Sequence, residues 1–123
     1  MQGQYTVLNI EDNPDNRLLI RRLLESKGYT VVEAESAAQA LEFLSIQKPD
    51  LILIDINMPD MDGYSLTNLL RSKPALNKTP IIAVTANVMK GDRERSLQAG
   101  CDGYIEKPID IDLFLDQVEK YLR

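Results

Sequence analysis

The sequence contains no histidine. A chain without imidazole has no His-based catalytic triad, no histidine metal site and no phosphohistidine of its own. Its one cysteine, Cys101, leaves no partner for an intrachain disulfide, which together with the missing export signal points to the cytoplasm. No apolar run approaches the roughly 18 residues of a membrane span. Met1-Gln2-Gly3-Gln4 also lacks the charged-then-apolar start of a signal peptide. Positive charge is the scarcer sign, with 14 Lys and Arg against 19 Asp and Glu, a net −5. Non-specific nucleic-acid binding needs a basic face, so neither nucleic acid nor membrane is an expected partner. The chemistry left to the chain is that of carboxylates, hydroxyls, amides, Lys and Arg.

What is present is the ordinary composition of one globular domain, read here as residues 1–123, with 44% hydrophobic and 27% charged residues. Short apolar runs alternate with helical patterns. Val7-Leu8-Asn9-Ile10 reads as a strand, and Asn13-Pro14 then opens a helix that Gly28 ends. Thr30-Val31-Val32-Glu33 is a second strand, followed by a capping-box start at Ser36-Ala37-Ala38-Gln39 and a helix to about 46. Leu51-Ile52-Leu53-Ile54 is apolar at every position, as a strand covered on both faces should be. A loop to Gly63 leads to a helix over 64–73. Ile81-Ile82-Ala83-Val84 and Gly103-Tyr104-Ile105 complete the strands, with a polar helix at about 90–99 and an amphipathic one at about 110–122. Five β and five α units in alternation require parallel strands, right-handed crossovers and helices on both faces.

In such a sheet the site lies beyond the carboxyl ends of the strands. Those ends carry Glu11-Asp12, Asp55, Thr85 and Lys107. Any one of these residues alone is more often a helix cap or a solvated side chain; the signal is that all share one edge. Crowded carboxylates repel, and a hard divalent cation relieves them. Mg²⁺ fits best, because it accepts one or two carboxylates and keeps water and phosphate oxygens. Lys107 adds a cation suited to a phosphoryl group, Thr85 a hydroxyl donor, and an Asp can itself accept the phosphoryl group as an aspartyl-phosphate.

The motifs Glu11-Asp12-Asn13, Asp55-Ile56-Asn57-Met58-Pro59-Asp60-Met61-Asp62-Gly63, Thr85-Ala86 and Tyr104-Ile105-Glu106-Lys107-Pro108 resemble those of the response-regulator receiver domain of two-component signalling, over essentially the whole chain. The resemblance implies a flavodoxin-like, doubly wound (βα)5 fold with a five-stranded parallel sheet of order 2-1-3-4-5. It implies Asp55 as phosphoacceptor and Glu11, Asp12, Asp55 and the Asn57 carbonyl around Mg²⁺, or Mn²⁺ in its place. It further implies Thr85 and Lys107 on the phosphoryl group, Thr85 and Tyr104 as the switch pair, Asn57 and Asn87 as residues that tune phosphate lifetime, and a cis Lys107–Pro108 bond.

Three features depart from the usual pattern. The acidic pair is Glu-Asp rather than Asp-Asp, so Asp12 is expected to ligate directly and Glu11 partly through water. Asn9 stands inside a strand where an apolar residue is usual and needs a partner. Asn87 lies at a tuning position. Neither a haloacid-dehalogenase-type phosphatase nor a flavin carrier fits, since Met58-Pro59 separates Asp60 from the strand and Glu11-Asp12-Asn13-Pro14-Asp15 would repel an uncompensated phosphate.

The reading is therefore a phospho-accepting switch, not an enzyme with a diffusible product; it catalyses only its own phosphorylation and dephosphorylation. A sensor histidine kinase or histidine phosphotransfer protein is the expected donor. No DNA-binding segment is expected after Arg123, so output is expected through a protein docked on the helix near 90–99, the strand at 103–105 and the last helix. The alternative is a receiver excised from a hybrid histidine kinase, serving as relay or sink; an aspartyl-phosphate phosphatase is more remote.

Overall fold

The computed structural model describes residues 5–58, 62–86 and 92–122, and of 92 and 93 only the backbone. The elements follow the order β1 Thr6–Ile10, α1 Pro14–Glu25, β2 Thr30–Ala34, α2 Ala37–Leu44, β3 Leu51–Asp55, α3 Gly63–Arg71, β4 Ile81–Thr85, α4 Asp92–Ala99, β5 Gly103–Glu106 and α5 Ile111–Leu122. All strand pairs are parallel and the sheet order is β2-β1-β3-β4-β5. This is the flavodoxin-like order expected from the sequence.

Every residue of β3 and β4 is buried, because helices cover both faces of the central strands. The pleat divides the core in two. Val7, Leu51, Leu53, Ile82, Val84 and Ile105 face α1 and α5, where Ile20, Leu24, Phe114 and Val118 meet them. Leu8, Ile10, Ile52, Ile54, Ile81 and Ala83 face α2 and α3, against Ala37, Ala40, Leu66 and Leu70.

The helix starts follow local chemistry. The Asn13 side chain accepts from the Asp15 and Asn16 N–H groups, and Pro14 opens α1. Ser36 Oγ accepts from Gln39 N–H, but the Gln39 side chain accepts from Glu35 N–H rather than closing the capping box on Ser36. Asp62 caps α3, which begins at Gly63, one residue earlier than the periodicity suggested. There the polypeptide folds back so tightly that a Cβ at Gly63 would stand 2.7 Å from Ile56 Cα, and Gly63 N–H donates to the Ile56 carbonyl at 3.1 Å. Three differences sit away from the site: α2 ends at Leu44, α3 ends at Arg71, and Pro74–Leu76 forms a single 3₁₀ turn. α4 is described from Asp92; residues 90 and 91 lie outside the described residues. Lys107–Pro108 is cis, as the resemblance implied.

Candidate functional site

The carboxyl ends of β1, β3, β4 and β5 bring the expected residues together. One carboxylate oxygen each from Glu11, Asp12 and Asp55 lies within 4.8 Å of the others. Glu11 is 1% exposed and Asp55 6%, while Asp12 is nearer solvent. Lys107 Nζ donates to Glu11 Oε1 at 2.9 Å and stands 3.5 Å from Asp55 Oδ2. The second Glu11 oxygen accepts from Asn13 N–H at 3.1 Å. Both Glu11 oxygens are thus engaged by the protein. Asp12 has no hydrogen bond or ion pair to its carboxylate among the described residues, which leaves it open to a ligand.

Asp55 ends β3, one of the two strands buried along their whole length. Its Oδ1 accepts from Asn57 N–H at 3.0 Å, and the Asn57 side-chain amide donates to Thr85 Oγ1 at 2.9 Å. Thr85 is 1% exposed, and its carbonyl accepts from Lys107 N–H at 2.8 Å. A chain of contacts therefore runs from Asp55 through Asn57 to Thr85 and on to the backbone of Lys107. Tyr104 pairs in register with Ala83 and Glu106 with Thr85, so Tyr104 lies on the face of Thr85, one pleat below it. It is half-buried against the α2/α3 core. Asn57 is exposed at the mouth, and Asn87 lies outside the described residues.

Burial drives the Glu11 carboxyl up from its ordinary 4.5 to about 6, opposed by the hydrogen bond from Lys107 and assisted by the Asp55 carboxylate beside it. Three carboxylates face one ammonium, so with all of them ionised two negative charges remain uncompensated. That all-oxygen donor set fits a hard divalent cation such as Mg²⁺ and offers nothing to a soft metal.

Asn9, 1% exposed, lies on the α1/α5 face opposite Glu33 of β2; among the described residues neither its Nδ2 nor the buried Glu33 Oε2 has a hydrogen-bond partner, while Glu33 Oε1 accepts from Arg21 at 3.2 Å. The missing partner that the sequence raised is therefore not supplied by the described residues. One residue at the site escaped the sequence reading. Arg17 on α1 reaches back so that its Nη1 donates to the Glu11 carbonyl at 3.0 Å and the Asp12 carbonyl at 2.9 Å. Its position one turn into α1, below the Asn13 cap, was the only available signal.

Among the described residues no helix is long and apolar enough to cross a membrane. A family model described as the response regulator receiver domain matches residues 7–119. The polar-differentiation response regulator DivK of Brucella ovis is 42% identical over 117 residues, 95% of each chain. The receiver domain of a sensor histidine kinase from Pseudomonas aeruginosa PAO1, with a magnesium ion coordinated in its active site cleft, is 37% identical; it superposes with a TM-score of 0.88 and covers 96% of this chain and 97% of that one. The signal receiver domain of a signal transduction histidine kinase from Syntrophus aciditrophicus is 34% identical at a TM-score of 0.89, covering 97% and 90%.

Proposed function

The chain belongs to the response-regulator receiver family, and on that footing we propose that Asp55 accepts a phosphoryl group from the phosphohistidine of a sensor kinase or histidine phosphotransfer protein. The observation that carries this is the convergence of Glu11, Asp12 and Asp55 within 4.8 Å, with Lys107 Nζ against two of them. An Asp55 carboxylate oxygen attacks phosphorus; the new O–P bond forms as the donor's N–P bond breaks, and the donor imidazole leaves with that electron pair. The Asn57 N–H holds Asp55 Oδ1 in place, which leaves Oδ2, beside Lys107, as the attacking atom.

Asp12 and Asp55 would hold Mg²⁺, or Mn²⁺ in its place, with the Asn57 carbonyl; Glu11, with both oxygens already engaged, would act through water. Bound there, the cation would neutralise the carboxylates and the incoming phosphoryl oxygens. Lys107 would turn from Glu11 toward the phosphoryl group and Thr85 would donate its hydroxyl to it. Asn57 lies beside the acceptor, and on the family resemblance it and Asn87 would tune how long the phosphate lasts. The only reactions catalysed are the protein's own phosphorylation and dephosphorylation, in the cytoplasm.

Output would pass from Thr85 to Tyr104 and out through α4, β5 and α5. This face carries a groove of about 300 Å³ lined by Leu97, Tyr104, Gln117, Lys120 and Tyr121 among others. A second reading is a receiver excised from a hybrid histidine kinase and serving as relay or sink; receivers of histidine kinases stand among the structural neighbours. Phosphotransfer from a labelled phosphotransfer protein tests both. Label should reach the wild-type chain and not Asp55→Asn, and a relay would pass it on to a second phosphotransfer histidine. Equal labelling of Asp55→Asn would remove the assignment.

A further inference from the structure

We propose that Arg17 is a positioning residue that sets the Asp12 carboxylate for the cation. The inference rests on the reading that the acidic cluster holds a divalent cation. Glu11 needs no further anchor, since Lys107 and the Asn13 N–H grip its two oxygens. Asp55 is fixed by burial and by the Asn57 N–H. Asp12 alone has a carboxylate with no protein partner among the described residues, so its location depends on its backbone.

That backbone is what Arg17 holds. The two acceptors of Nη1, the carbonyls of Glu11 and Asp12, belong to the peptide planes on either side of the Asp12 Cα. Two hydrogens of one nitrogen, spent on both carbonyls, fix the rotation of one plane against the other. They thereby fix φ and ψ at Asp12 and the direction in which its side chain leaves the chain. The guanidinium is itself constrained. Its side chain is 16% exposed, it springs from α1 just below the Asn13 cap, and Nη2 stands 3.6 Å from Glu35 Oε1 beyond the end of β2. Guanidinium is suited to this task because its planar, rigid fork holds a direction that a flexible ammonium does not.

Position and charge predict opposite outcomes. Arg17 places a positive charge beside the acidic cluster, so if charge were its only contribution, removing it would tighten cation binding. If it positions Asp12, removing it weakens binding, as loss of groups that orient a metal ligand does, by roughly ten-fold or more.

The experiment follows backbone amide shifts by NMR while MgCl₂ is added to the wild type, Arg17→Gln, Arg17→Lys and, as a control, Asp12→Asn, with thermal denaturation of each. Arg17→Gln should raise the Mg²⁺ Kd roughly ten-fold, with Arg17→Lys between it and the wild type. A Kd unchanged or lowered in Arg17→Gln overturns the proposal. Should that variant fail to fold, Arg17→Lys decides by the same criterion. The control keeps the two ideas apart: if Asp12→Asn leaves Mg²⁺ binding intact, the metal reading fails, whereas weakened binding in the control with no change at Arg17 removes only the positioning role.

Discussion

Lys107 Nζ stands 2.9 Å from Glu11 Oε1 and 3.5 Å from Asp55 Oδ2. The ammonium is therefore held chiefly by the acid that β1 supplies and only secondarily by the acceptor. Glutamate has one methylene more than aspartate, and here that length is spent on reaching Lys107. The Glu-Asp pair thus divides its labour, with Glu11 on the ammonium and Asp12 open to a cation.

This division gives Asp12 a specific prediction. Asp12→Ala removes the open hard oxygen ligand and should weaken Mg²⁺ binding and Mg²⁺-dependent phosphorylation in parallel. Amide-shift titration with MgCl₂ and labelling rates across Mg²⁺ concentrations check it. A normal Mg²⁺ affinity would show that Asp12 is not a ligand.

Glu11 has a raised carboxyl, at about 6 against an ordinary 4.5, mainly because it is buried. In metal-free protein the folded state holds this proton more tightly than the unfolded chain does. The stabilising effect is complete below pH 4.5 and lost as pH rises through about 6. At 1.36 kcal/mol per tenfold change in proton affinity the group contributes about 2 kcal/mol to this pH dependence. Urea denaturation in EDTA between pH 4 and 7 (roughly the range the linkage spans) should show the wild type losing stability relative to Glu11→Gln. A difference between the two proteins that does not change with pH would contradict the assignment.

The loop from Asp55 to α3 closes on a glycine for steric reasons. A Cβ at Gly63 would meet Ile56 Cα at 2.7 Å, and backbone cannot yield as a side chain can. Gly63→Ala should cost about 1–3 kcal/mol by overpacking and slow phosphorylation by shifting the Asp55–Asn57 segment. Denaturant unfolding of the variant measures the first effect; wild-type stability would show that the loop relaxes freely.

Much of this was legible in the sequence because the relevant signals are local. The all-apolar 51–54 run, the Asn13-Pro14 start and the acids at strand ends are set by adjacent residues, and the sheet order followed from the resemblance they carry. The contacts that proved less legible are side-chain reaches across elements. Arg17 folds back over five and six residues to two carbonyls, and the Gln39 side chain accepts from the Glu35 N–H rather than from that of Ser36. Arg95, on the polar helix α4, is exposed yet lies 4.4 Å from the centre of the Tyr64 ring, joining α4 to the start of α3. Asn9 was recognisable as unusual, but its lack of a partner depends on which side chain β2 sets opposite it.

The switch prediction follows from register. Thr85 and Tyr104 share a face one pleat apart, and the Thr85 carbonyl holds the Lys107 N–H. A phosphoryl group adds about −1.5 to −2 charge at Asp55, and Thr85 turning toward it would alter the packing over Tyr104. Beryllofluoride with Mg²⁺ should shift amides across α4 and β5 in NMR spectra. Shifts confined to the loops bearing Asp12 and Asp55 would show that the change stops at the site.

The central claim is that the phosphoryl group resides on Asp55. The direct measurement treats the protein with a small phosphodonor and Mg²⁺, reduces the acyl phosphate with borohydride, and maps the product by peptide mass spectrometry. The account predicts homoserine at position 55 alone, and none in Asp55→Asn. Homoserine at any other aspartate of the wild type, the corresponding five-carbon alcohol at a glutamate, or a labelled Asp55→Asn, would contradict it.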